Sequence, residues 1–211
     1  MLEIFVFVNP IGNICLEVEK NLLALAGEQS RPVQIKFVPT LNFTIITDYM
    51  KAHAMDPKDL ELRNHLFNLA YNIILDYKAA QFQGNLKARK LLMALQRAFN
   101  EDQRYDRAMV AELLATYHID QEMFDEDRTD AALRDAFSHD QQLASEMHIT
   151  NTPSAVFMDT DQPETDAAIL LENVTDHHVF ANICHELVTR PAAFYGSAEL
   201  GSLNGTDLHV L

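Results

Sequence analysis

The chain has 211 residues, 48% of them hydrophobic, enough for one large domain or two small ones around a real buried core. Its 16 Lys and Arg against 31 Asp and Glu give a net charge of −15 and a pI near 4.8, which argues against binding a phosphate backbone or docking on an anionic membrane. Only Cys15 and Cys184 are present, too few for a secreted disulfide scaffold and in keeping with a reducing cytosol.

Met1 leads directly into the apolar run LEIFVFV, without the basic n-region and small-residue cleavage site of a signal peptide. No stretch reaches the ~20 continuous apolar residues of a membrane helix, and the expectation is a soluble, cytoplasmic protein. LEIFVFV reads as a central strand covered on both faces, and Asn9-Pro10 ends it. From Ile11 the positions Ile11, Cys15, Val18, Leu22 and Leu25 recur at helical spacing, with Gly27 as the stop. Val33, Ile35 and Phe37 then alternate between Pro32 and Pro39, predicting a second strand and a right-handed β-α-β crossover.

From 56 to 147 the periodicity is helical throughout, and four helices fit. They are anchored around Leu66 and Ile73, around Leu91 and Leu95, around Val110 and Leu113, and around Leu133 and Phe137. The chain returns to sheet at 154–158 (SAVFM) and 167–171 (AAILL), a predicted antiparallel hairpin across a polar turn at 159–166. A last helix is expected over 176–189, with Thr175 as N-cap. The fold class is therefore α/β: a mixed four-stranded sheet whose halves, 1–55 and 148–190, flank an all-helical insertion at 56–147. Residues 191–211 read as an irregular tail.

Three places carry a family resemblance. The run from Phe7 to Cys15 (FVNPIGNIC) stands as a strand leading to a helix N-terminus, Thr152-Pro153-Ser154 immediately precedes a strand, and 79–89 (AAQFQGNLKAR) lies within the helical block. These segments resemble the DsbA-like thioredoxin-fold family, and within it the SpxH group of ClpXP adaptors and the cytoplasmic dithiol isomerase homologues. The resemblance implies a thioredoxin-like sheet, a C-x-x-C motif at 12–15 and a cis-proline loop at Thr152-Pro153.

In a C-x-x-C motif the first cysteine attacks as a thiolate stabilised by the helix N-terminus, and the second resolves. Here the motif reads Gly12-Asn13-Ile14-Cys15, so the attacking sulfur is missing. Cys15 holds the resolving position on the apolar stripe, where desolvation disfavours the thiolate. As a candidate catalytic residue Cys15 is thus degenerate; as a packed small hydrophobe it needs no chemistry. The candidate binding residues are Gly12, Asn13, Ile14, Thr152 and Pro153, since main-chain pairing with an extended peptide needs no sulfur.

Cys184 reads as core of the last helix rather than as a disulfide partner of Cys15, and His177, His178 and His185 match no zinc spacing, so no metal site is expected. The leading functional expectation is a protein or peptide partner bound without catalysis, with the resemblance implying an adaptor that presents a regulator to the ClpXP protease. The alternative is a cytoplasmic thiol-disulfide oxidoreductase or isomerase, or a glutathione-dependent isomerase-like enzyme, the only reading that calls on a cofactor. A third reading is a scaffold that forms a homo-oligomer through the helical insertion.

Overall fold

The computed structural model describes residues 1–28, 32–161, 168–172, 179, 182, 183, 185, 186 and, for the backbone alone, 207–210. Its elements in chain order are β1 (Leu2–Val8), α1 (Asn13–Glu28), β2 (Val33–Pro39), α2 (Phe43–Ala52), α3 (Leu60–Gln81), α4 (Asn85–Asp102), α5 (Arg107–Thr116), α6 (Gln121–Asp127), α7 (Ala131–Glu146), β3 (Ser154–Asp159), β4 (Ile169–Glu172) and β5 (Asp207–Val210). By its packing the chain divides into two compact units, one of Met1–Val8, Glu17–Val38 and Ser145–Leu211, the other of Asn9–Leu16 and Pro39–Ala144.

The first unit carries a mixed sheet in the order β2-β1-β3-β4-β5. β1 runs antiparallel to β3 from Leu2↔Asp159 to Phe7↔Ser154, and β3 antiparallel to β4 from Ser154↔Glu172 to Phe157↔Ile169. Leu2, Ile4, Val6, Val156, Phe157 and Ile169 are fully buried, as strands apolar on both faces require. The expectation of an irregular tail over 191–211 fails at Asp207–Val210, which form β5 antiparallel to β4 from Glu172↔Asp207 to Ile169↔Val210. The sheet therefore has five strands: the four expected and one more. Four alternating residues, Asp-Leu-His-Val, after Gly205-Thr206 are too short a pattern to stand out from a tail.

The second unit is helical. α2 belongs to it, burying Ile45, Ile46, Tyr49 and Met50, although its sequence lies within 1–55. Five helices, not four, occupy 56–147; the addition is α6, seven residues with Phe124 as its one buried side chain. Side chains start four of the helices: Asn42, Asp59, Asp106 and Asp120 accept from the amides of Ile45, Leu62, Met109 and Met123. Each satisfies one of the amides left open in a first turn.

Buried charge ties this unit together. Asp76 of α3, fully buried, accepts from Tyr105 Oη at 2.6 Å and Arg128 Nε at 2.7 Å, while Arg128 Nη2 reaches Asn72 Oδ1 at 2.9 Å. Burial pushes the Asp76 carboxyl above its ordinary range, and the bonds from Tyr105 and Arg128 pull against that. The same burial, with the Asp76 charge beside it, holds the Tyr105 phenol well above its usual value, so it stays a donor. A second pair, Lys78 with Asp140, joins α3 to α7 with both side chains almost closed to water. Gln141 of α7 spans the chain leaving β2: its Nε2 donates to Pro39 O and its Oε1 accepts from the Leu41 amide, each at 3.0 Å.

Candidate functional site

β1 ends at Val8, and the turn into α1 is organised by Asn9. Its side-chain Oδ1 accepts from the Ile11 amide at 3.1 Å, the turn geometry for which Asn is selected, and its carbonyl accepts from the Gly12 amide at 3.0 Å. Gln96, a fully buried residue of α4, adds a longer contact from Nε2 to the same carbonyl at 3.5 Å. The Asn9 amide itself donates to Cys15 Sγ at 3.2 Å.

Cys15 is in no disulfide and has 2% of its surface exposed, in the first turn of α1. Gly12 is also buried, and a Cβ built on it would stand 3.2 Å from Cys15 Sγ and 3.5 Å from Asn9 Cβ. Position 12 is therefore the seat from which a side chain would face the Cys15 sulfur, and that seat carries no side chain. Asn13 opens α1. Ile14, by contrast, is 46% exposed, an aliphatic side chain offered at the helix tip where burial would be the default. Glu19, four residues beyond Cys15 in the same helix, is fully buried, a position that helical spacing alone marks as apolar.

The sheet unit carries the second predicted binding element. The Thr152-Pro153 peptide is cis, Pro153 is buried and Thr152 half-buried. Ser154 Oγ donates to Asn151 O at 2.7 Å, and Thr150 Oγ1 donates to Glu172 Oε1 at 2.8 Å, which fixes the loop to both β3 and β4. The register Phe7↔Ser154 puts this loop at the same end of the sheet as the last residues of β1. Gly12, Asn13, Ile14 and Cys15 belong to the helical unit, Thr152 and Pro153 to the sheet unit.

Two contributors escape a reading of the sequence. Asn9 is legible there only as a turn residue, and Gln96 not at all, since nothing in the period of α4 says that a glutamine will turn inward. Cys184, His177 and His178, weighed as disulfide or metal partners, and the proposed cap Thr175 lie outside the described residues, whereas His185 is described and exposed. Among the described residues no helix is long and apolar enough to cross a membrane.

Residues 5–182 match the family model Thioredoxin_5, described as thioredoxin. The chain is 26% identical over 188 residues to the ClpXP adapter protein SpxH of Staphylococcus saprophyticus and 25% identical over 191 residues to that of Staphylococcus aureus, covering 89% and 90% of this chain. In both cases the match takes in 66% of the relative, so the chain spans just under two thirds of their length. Among solved structures it is similar to the cytosolic disulfide reductase DsbM of Pseudomonas aeruginosa, with a TM-score of 0.62 at 16% identity over 88% of this chain and 98% of that one. It is also similar to the oxidoreductase DsbA of Xylella fastidiosa, with a TM-score of 0.59 at 18% identity over 91% and 87%. A thioredoxin-like sheet with a helical insertion, matched by the family model over most of its length, makes this chain a member of the DsbA-like thioredoxin-fold family, close to SpxH.

Proposed function

We propose that this protein binds a protein partner without dithiol exchange, and that it acts in the cytoplasm as an adaptor presenting a regulator to the ClpXP protease. The observation that carries the reading is glycine at position 12 beside a buried Cys15 sulfur. Dithiol exchange begins with an accessible thiolate, and a thiol that is 2% exposed with no neighbour at the attacking position cannot begin it. What remains for a partner is the exposed Ile14 at the α1 tip and the main chain of Thr152, which among the described residues makes no hydrogen bond. Extended peptides pair with such main-chain groups, and apolar pockets beside them select side chains. In this reading Gly12, Asn13, Ile14, Thr152 and Pro153 are the binding residues. The ClpXP step is carried over from the SpxH relatives, which are longer than this chain.

A reconstituted reaction tests the proposal: purified chain, ClpXP and a transcription regulator that ClpXP degrades slowly alone. The expected result is saturable binding of the regulator and faster degradation, both unchanged in Cys15→Ser. Absence of binding overturns the reading, and so does disulfide reductase or glutathione-dependent turnover that Cys15→Ser abolishes.

The amide of Asn9 aimed at the Cys15 sulfur favours one competing reading, residual thiol chemistry in an oxidoreductase or isomerase, since a hydrogen-bond donor stabilises a thiolate. Alkylation of Cys15 in the folded protein separates the two. A thiol of ordinary or lower reactivity fits the adaptor, and a fast one fits the enzyme.

A further inference from the structure

Two turns of the helical unit are bonded to each other through a single side-chain amide. Gln83, between α3 and α4, donates from Nε2 to Asp120 O at 2.8 Å and accepts at Oε1 from the Asp120 amide at 2.7 Å. Lys87 adds a bond from Nζ to His118 O. The corner so fixed exposes Phe82 at 54%, Leu86 at 57% and Met123 at 50%, half of the large apolar side chains that stand open among the described residues. Clustered exposed apolar groups mark interaction sites where scattered ones do not, and a corner already held by hydrogen bonds loses little freedom on docking.

The charges around the corner are divided by side. Lys90 is exposed one turn beyond Leu86 on α4, while Glu122 and Glu126 are exposed around Met123 on α6. None of the three takes part in an ion pair among the described residues. A uniformly basic or acidic partner would match one side and oppose the other. A second copy turned about a two-fold axis through the apolar centre sets the basic side of each copy against the acidic side of the other, the self-complementarity an isologous contact requires. We propose that this corner is a two-fold contact between copies of the chain. The charge of −15 on each copy opposes association at long range, but at physiological salt screening falls to about 8 Å and the charges at the patch decide. The patch is small, so the dimer is weak and reversible, with a Kd on the order of 10 to 100 µM.

Sedimentation velocity over a concentration series at physiological salt tests this. Lys90→Glu and Glu126→Lys, both on the surface, are each expected to weaken self-association about tenfold, because each replaces two attractive pairs by repulsive ones. Mixing the two variants restores both pairs in the heterodimer and is expected to recover the wild-type Kd. Met123→Asp is expected to leave a folded monomer, checked by circular dichroism. The proposal is overturned by a wild-type chain that stays monomeric to about 500 µM, well past the proposed Kd range of about 10 to 100 µM. It is equally overturned by variants that dimerise like wild type, or by a mixture that recovers nothing.

Discussion

Gly12 faces the sulfur of Cys15: a Cβ at position 12 would lie 3.2 Å from it. Across a disulfide, a Cβ and the far sulfur are about 3 Å apart. The backbone of the turn thus retains the geometry of a two-cysteine motif although the sequence no longer fills it.

Gly12→Cys is therefore expected to close a disulfide with Cys15 under mild oxidation without rebuilding the turn. Thiol titration reads the result directly. The oxidised variant should show no reactive thiol at these two positions, and the reduced variant should reduce a model disulfide substrate at least about tenfold faster than wild type, since the helix N-terminus lowers the pKa of a thiol placed there. Two thiols that remain free after oxidation would refute the assignment of position 12.

Tyr105→Phe removes one of the donors to the buried Asp76 carboxylate and is expected to cost about 1 to 3 kcal/mol at neutral pH. Burial already raises Asp76 above its ordinary 3.8, and loss of a bond to the ionised form raises it further. That bond is charge-assisted only while Asp76 is ionised, so the deficit of the variant is full above the folded-state value. It shrinks as pH falls through that value toward 3.8. Urea midpoints of both proteins across this range should converge on the acid side. A pH-independent gap would contradict it.

Lys78→Met strands Asp140 as a buried charge and is expected to destabilise by about 3 to 5 kcal/mol, whereas adding Asp140→Leu should recover most of the loss. The physical basis is that desolvation is repaid only while both charges are present. Burial pushes Asp140 above its ordinary value, and Lys78 opposes this, so the single variant should take up a proton at Asp140 more readily than wild type. Chemical denaturation of the two singles and the double gives the coupling, and additive losses would refute the pair.

Ala54, just past the end of α2, has φ of 55° with the Met55 amide bonded to Met50 O at 2.8 Å, the left-handed turn that commonly closes a helix. A Cβ is strained there and glycine is not, so Ala54→Gly is expected to stabilise the protein by about 0.5 to 1 kcal/mol. A lowered melting temperature would show that the Ala54 methyl contributes more than its backbone costs.

β1, α1, β2, β3 and β4 are legible in the sequence because their apolar residues recur at the period of the element, over strands apolar on both faces and a helix of 16 residues. α6 is not, because seven residues with one buried side chain contain less than two turns of pattern. β5 is hidden for the same reason, being four residues whose partner strand is fixed by tertiary pairing. Within the candidate site, the period of α1 alone places Cys15 on the apolar stripe, whereas Gly12 as the first motif position and Pro153 as the cis-proline are legible only through the family resemblance. Asn9 and Gln96 act through a main-chain amide and carbonyl, and main-chain contacts across 87 residues leave no trace in local sequence.

Gln141 closes the exit of β2 with bonds to Leu41 and Pro39 that span 100 and 102 residues. Until Gln141 has been synthesised the chain has no group to make them. While α2 to α6 emerge, the segment after β2 must wait with its amide and carbonyl turned to water. The segment leaving β2 is therefore fastened late in synthesis, by a side chain about 100 residues further along the chain.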